Sequence, residues 1–287
     1  RRLLLQDRRQ RRDGRLPPER VLPGQELVQH HPEREHVRPR VHRQLGDGGH
    51  VYFLNNRANR DERIEARFRV TGRAPELWDA VTGTARPLPY RIDGDVTVVP
   101  LELGAEGSQF VVFREATQAA SRDIAPVVEQ ALGVIDGPWT VSFQPGRGAP
   151  ASITLPTLAP LNESTDAGVR YFSGVATYST SFTAPAVSGG DLWLDLGAVG
   201  DVAEVLVNGQ SAGISWWAPN RVNVGALVHS GTNTLEVRVA NLWVNRLIGD
   251  VQPGAEPITF VAAPTYLPDA PLRPSGLIGP VSLHASQ

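Results

Sequence analysis

From His50 onward, apolar and polar positions trade places in short runs: HVYFLNN, RIEARFRV, VTVVPLEL and SQFVVFRE, separated by NRANRDE, TG, DG and GAEG. In RIEARFRV, Ile64, Ala66, Phe68 and Val70 recur with period two against Arg63, Glu65, Arg67 and Arg69. That period predicts a strand with one dry and one wet face. Thr82-Gly83 and Asp93-Gly94 fall where hairpins must turn, and TGRAPELWDAVTGTARPLPY reads as an edge ribbon, where prolines are tolerated. Residues 46–115 are therefore predicted to form one small antiparallel sandwich. ATQAASRDIAPVVEQALGVI follows, and its Ala-rich start predicts a linker over 116–133 with at most a short helix beginning near Pro126.

A second block, 134–287, alternates strands such as ATYSTSFTA, DLWLDLG, EVLVNGQSAGI and NTLEVRVAN with turns rich in Gly, Pro and Asn. Regular spacing of this kind predicts a sandwich or jelly roll. Asn208-Gly209 suits a two-residue hairpin with positive φ, Gly231-Thr232-Asn233 the next turn, and Leu235, Val237 and Val239 alternate inward. The predicted fold class is all-β, with two antiparallel sandwiches.

Composition alters this picture at the amino terminus. The chain of 287 residues has a formal net charge of -2, but its first 45 residues are arginine-heavy and the remainder is acidic. Residues 1–45 also hold five prolines and four histidines and no sustained period, so they are predicted to be irregular. Two functional readings attach to them: a basic arm for polyanions, and metal ligation by His30, His31, His36 and His42. Interspersed acids and the lack of an aromatic for base stacking weigh against the first, so no nucleic-acid partner is expected, and four histidines on a flexible tail are more often solvated than liganded, which weighs against the second. An out-of-frame translation product would show the same enrichment in Arg, Pro, Gln and His.

Several chemistries are excluded or disfavoured. Cysteine is absent, which removes disulfides, thiolate metal sites and cysteine nucleophiles and leaves the compartment open. No apolar run approaches the ~18 residues of a membrane span, so no membrane partner is expected. RRLLLQDRRQ lacks the apolar core of a signal peptide. Neither GxGxxG, a P-loop nor HExxH occurs, and no cofactor is expected. Glycoside hydrolysis needs two carboxyls about 5 to 10 Å apart across a sugar. Asp166, Asp201, Glu204, Asp250, Glu256 and Asp269 are candidates, but with 30 acids in the chain, solvated loop carboxylates are the better reading. Ser173 and Ser215 are weaker still as nucleophiles, because only His229 and His284 lie in the second block, without an orienting motif.

Only six tryptophans occur, and two of them, Trp216 and Trp217, are adjacent. Neighbouring side chains of a strand point to opposite faces, so both cannot be core. Burying an indole removes about 200 Å² from water, worth up to ~5 kcal/mol, so exposing one asks for a compensating use. One use is a sugar face stacked on an indole, with Asn220, Arg221, Asn245, Arg246 or Asp250 binding hydroxyls. The other is packing beneath a loop or against another domain, which is favoured. Trp139, Trp193 and Trp243 are expected in the core, and Arg246 with Asp250 as a structural ion pair.

The second block, through GVATYSTSF, LDLGAVGDVAEVLVNGQSAG and GTNTLEVRVAN, resembles the galactose-binding-like jelly roll of glycoside hydrolases, including the sugar-binding domain of β-galactosidase-type enzymes. More narrowly, YFSGVATY, WAPNRV, NRLIGD and SGLIGPV, with APELWDAVTGTARPLPY in the first block, resemble the carboxy-terminal β-sandwich region of α-L-rhamnosidase-type enzymes of glycoside hydrolase family 106. The resemblance implies that the catalytic carboxylates reside on a barrel preceding this region, and nothing in residues 1–45 looks like it. It implies a non-catalytic region, with that barrel as partner, carbohydrate as a candidate ligand and a periplasmic or secreted setting. The alternatives are a free-standing carbohydrate-binding module and a nucleic-acid-binding arm.

Overall fold

A computed structural model describes residues 37–80, 82–184, 191–263 and 265–286. These divide into two compact units, one ending at Ala125 and the other beginning at Pro126.

The first unit is a two-sheet antiparallel sandwich. Its strands are β1 (Val37–Gln44), β2 (His50–Asn56), β3 (Glu62–Phe68), β4 (Arg73–Trp78), β5 (Ala85–Pro87), β6 (Tyr90–Asp93), β7 (Val96–Leu103), β8 (Ser108–Ala116) and β9 (Ser121–Arg122). One sheet runs β1-β2-β8-β4-β5 and the other β3-β7-β6-β9. The expected period-two face is the one buried: Ala66, Phe68 and Val70 pack with Tyr52, Leu54, Leu101, Val111 and Phe113. Gly83 and Gly94 have positive φ at the predicted hairpins, and β5 is the sheet edge that the proline-rich ribbon required.

Two expectations are corrected here. Residues 37–44 were expected to be irregular, yet they form β1, paired with β2 from Val37↔Asn56 to Gln44↔His50. An edge strand takes its order from backbone pairing on one side, so it needs no apolar alternation. Its ladder shifts register between Pro39 and Val41, the kind of bulge that accommodates a proline. Residues 1–36, with His30, His31 and His36, lie outside the described residues. The linker with a short helix near Pro126 is also corrected: β9 pairs with β6, and Glu129–Val134 form a strand, β10.

The second unit adds β11 (Trp139–Phe143), β12 (Ser152–Leu155), β13 (Gly174–Ala184), β14 (Asp191–Asp195), β15 (Ala198–Val199), β16 (Val202–Val207), β17 (Gln210–Ser215), β18 (Arg221–Asn223), β19 (Gly231–Asn241), β20 (Leu277–Gly279) and β21 (Ser282–Ser286). Two short helices interrupt them, α1 (Ala167–Arg170) and α2 (Val244–Asp250). A six-stranded sheet, β12-β11-β13-β19-β16-β17, faces a four-stranded one, β10-β21-β14-β18. Between them lie Trp139, Tyr178, Leu194, Val205, Leu235, Val237 and Val239. The long β13–β19 pairing runs without a break from Gly174↔Asn241 to Ala184↔Gly231.

Asn208 (φ 52°) and Gly209 (φ 78°) turn the β16–β17 hairpin as the Asn-Gly signal demands. The Asn208 amide also donates to the Leu227 carbonyl and to Asn233 Oδ1. Gly231-Thr232-Asn233 opens β19 instead of forming a turn. Buried Asn233 donates to the carbonyls of His229 and Gly231, closing the preceding loop from within.

Candidate functional site

Three surfaces of the second unit could carry function, and the first is the tryptophan pair. The chain leaves β17 after Ser215, so Trp216 and Trp217 sit in a connection and escape strand alternation. They are 55% and 49% exposed, so both rings reach solvent. Beneath them the loop is pinned by polar contacts. Asn220 donates its amide to the Gly197 carbonyl at 2.9 Å and accepts the Ser215 hydroxyl at 3.0 Å. Arg221 forms two parallel bonds of 3.0 Å to Glu129, lies 3.4 Å from Asp195, and covers the partly buried Trp193 ring. The Arg221 hydrogen bonds hold the Glu129 carboxyl below its ordinary pKa. Asn220 and Arg221, expected to bind sugar hydroxyls, are thus engaged in fixing the platform.

The second surface surrounds α2. Asn245, Arg246 and Asp250, the remaining expected hydroxyl binders, are buried and bonded within the protein. Asn245 exchanges two 2.8 Å hydrogen bonds with the backbone of Arg273. Arg246 Nε lies 2.9 Å from Asp250 Oδ1, one helical turn away, with the two side chains 8% and 7% exposed. Asp250 also accepts the amides of Ile258 (3.1 Å) and Thr259 (2.9 Å) and the Thr259 hydroxyl (2.5 Å). Burial pushes the Asp250 pKa up, but the Thr259 and Ile258 hydrogen bonds and the Arg246 charge outweigh it, and the net shift is downward. The expected ion pair is present, and it anchors the segment that follows α2. That segment exposes Ile258, Phe260, Val261 and Leu267, and Leu242 and Trp243, which precede α2 in the chain, are exposed as well. Trp243, expected in the core, is 54% exposed, whereas Trp139 is fully buried. It heads α2 instead of continuing β19, so the inward alternation of Leu235, Val237 and Val239 does not reach it.

The third surface is a groove of about 620 Å³ on the outer face of the six-stranded sheet. Thr140, Ser179, Ser181 and Thr234 line it with Glu236 and Arg238. Arg238 bridges Glu236 (2.7 Å) and Glu204 (3.2 Å). Sequence reasoning did not single out this groove. Its polar residues are the outward half of ordinary alternating strands, and only the cross-strand register, such as Ser179↔Glu236 and Ser181↔Thr234, gathers them.

Four of the six candidate acids, Asp166, Asp201, Glu204 and Asp250, make structural contacts. Asp166 caps α1 through the Val169 amide, and Glu204 pairs with Arg238. Asp201 accepts the Leu242 amide, and burial raises its pKa. Glu256 and Asp269 are exposed. Ser173 donates to the Asn241 carbonyl and Ser215 to Asn220, so each hydroxyl has a partner other than histidine. Among the described residues, no group of three His, Asp or Glu side chains is placed to hold a metal ion. His42 instead hydrogen-bonds His50 at 2.9 Å and stacks on Tyr52.

Comparison with known proteins agrees with this architecture. The family model described as α-L-rhamnosidase matches residues 17–92. A solved rhamnosidase from Novosphingobium sp. PP1Y is 51% identical, covering 88% of this chain and 24% of that one, with a TM-score of 0.82. A putative β-glucuronidase from Formosa agariphila is 33% identical over 178 residues, 53% of this chain and 15% of that protein. The chain is a glycoside hydrolase-related protein of paired β-sandwiches. Over most of its length it resembles the α-L-rhamnosidase-type enzymes, and it spans about a quarter of the solved rhamnosidase.

Proposed function

We propose that this chain is the non-catalytic, carboxy-terminal β-sandwich region of a bacterial α-L-rhamnosidase-like glycoside hydrolase acting on plant or microbial glycans. Its tasks are stability and docking to a catalytic barrel encoded upstream. The observation that carries this reading is the 51% identity over 88% of this chain against only 24% of the solved rhamnosidase. The engagement of Asp166, Glu204 and Asp250 in capping, an exposed ion pair and a buried ion pair adds support. The test is an assay of the purified chain on aryl α-L-rhamnosides. No turnover is expected, and activity that survives stringent purification would refute the proposal.

A second reading, a free-standing carbohydrate-binding module, is favoured by the half-exposed Trp216 and Trp217 on a rigid base. A glycan array probed with the intact chain separates the two. Binding that disappears in a Trp216→Ala, Trp217→Ala variant selects the module, and silence selects docking.

A further inference from the structure

Three surfaces of the second unit are open to solvent: the tryptophan pair, the sheet-face groove and the apolar rim around α2. The rim is built from Leu242, Trp243, Ile258, Phe260, Val261 and Leu267, with Phe260 94% exposed. Its two ends in the chain, before and after α2, meet through Trp243 and Ile258. The Arg147 guanidinium lies 5.5 Å above the Trp243 ring, and the next residue, Gly148, packs so tightly on Ile258 that a Cβ there would come within 2.6 Å of Ile258 Cδ1.

What fixes the rim is costly. Taking Arg246 and Asp250 out of water carries a desolvation penalty that their mutual attraction offsets only with good geometry and further hydrogen bonds. Here the further bonds go to the amides of Ile258 and Thr259, the residues that place Phe260 outside. Gln252 reaches across from the Ile248 carbonyl to that of Pro268, steadying the Leu267 end of the same segment. Buried ionic groups thus hold a segment whose exposed side chains are largely apolar.

We propose that this rim is the surface that seats the catalytic part of the parent glycoside hydrolase; the inference rests on the reading above and names the docking face. Its chemistry selects a protein over a glycan. Sugars stack on flat rings and need hydrogen-bond donors and acceptors nearby, whereas four of these six side chains are aliphatic. Arg147 is half-buried with no carboxylate partner among the described residues, so the facing surface is an apolar hollow with an acid at its edge. The exposed area is on the order of 500 Å², more than half of the ~800 Å² each partner contributes to a stable interface. The solved rhamnosidase supplies the missing partner in length, since three quarters of it lies outside the match.

The experiment compares this chain alone with a chimera in which it replaces the matching quarter of the Novosphingobium rhamnosidase. Hydrogen exchange should slow about tenfold or more over 258–267 in the chimera relative to the chain alone. Phe260→Asp should lower the unfolding midpoint of the chimera by several degrees and leave that of the isolated chain unchanged. Protection of the Trp216–Trp217 loop or of the sheet-face groove, with 258–267 still open, overturns the inference while the proposed function stands. A chimera that protects no part of this chain overturns both. Concentration-dependent dimerisation of the isolated chain, abolished by Phe260→Asp, would assign the rim to a second copy and also overturn the inference.

Discussion

Replacing Asp250 by alanine tests how the segment after α2 is held. The carboxylate has one ion-pair partner and three hydrogen-bond donors, and the pair is buried on both sides. Deleting it leaves the Arg246 guanidinium buried without a counter-charge and two backbone amides without acceptors. Removal of one member of a buried pair costs about 3–5 kcal/mol, and the individual bonds to a charged acceptor, about 1.5–3 kcal/mol each, lie inside that figure because they are not additive. We expect Asp250→Ala to lose about 3–5 kcal/mol from the second unit and Asp250→Asn less, since its remaining oxygen still accepts from Thr259. An Arg246→Met, Asp250→Leu double variant should cost less than the single alanine, because no charge is left stranded. The sign with pH is set by the lowered pKa of Asp250. Its contribution is complete above the unfolded value of about 3.9 and disappears as pH falls through the lower folded value. Urea unfolding followed by tryptophan fluorescence, fitted with separate transitions for the two units, measures each term. A loss below about 1 kcal/mol for Asp250→Ala, the range of exposed pairs, would refute the view that this pair anchors the segment.

Other substitutions probe separate links. Gly276 has φ 85°, and a Cβ there would lie 2.3 Å from the Tyr178 hydroxyl and 2.7 Å from Leu161, so Gly276→Ala should cost about 3 kcal/mol or more by the same unfolding assay. His42 and His50 both have lowered pKa values, by burial in each case and for His50 also by the neighbouring His42 and Arg73 charges. The neutral forms are therefore favoured in the fold: their contribution is complete above about pH 6.5 and falls as pH drops below it, read as lost exchange protection in β1. Trp216→Ala and Trp217→Ala should each cost at most about 2 kcal/mol, because roughly half of each ring is already in water, whereas Trp139→Ala should cost about 3–5 kcal/mol.

Much of this architecture was legible from local pattern. RIEARFRV and NTLEVRVAN announced their buried faces through period two, and Asn208-Gly209 announced its hairpin, because each signal is complete within a few residues. The all-β class and the two sandwiches follow from such signals alone, as does the resemblance carried by the strand and turn motifs of both blocks. The tertiary structure decided what depends on distant partners. VRPRVHRQ is a strand only because β2 offers it a free edge, and Glu129–Val134 only because β21 lies beside it, 150 or so positions away along the chain. Asn220, Arg221, Asn245, Arg246 and Asp250 have the chemistry of a sugar site, but that chemistry serves equally well to bind a carbonyl, an amide or a counter-charge. Which of these it meets depends on the packing of segments remote in sequence, as does the exposure of Trp243 and Phe260.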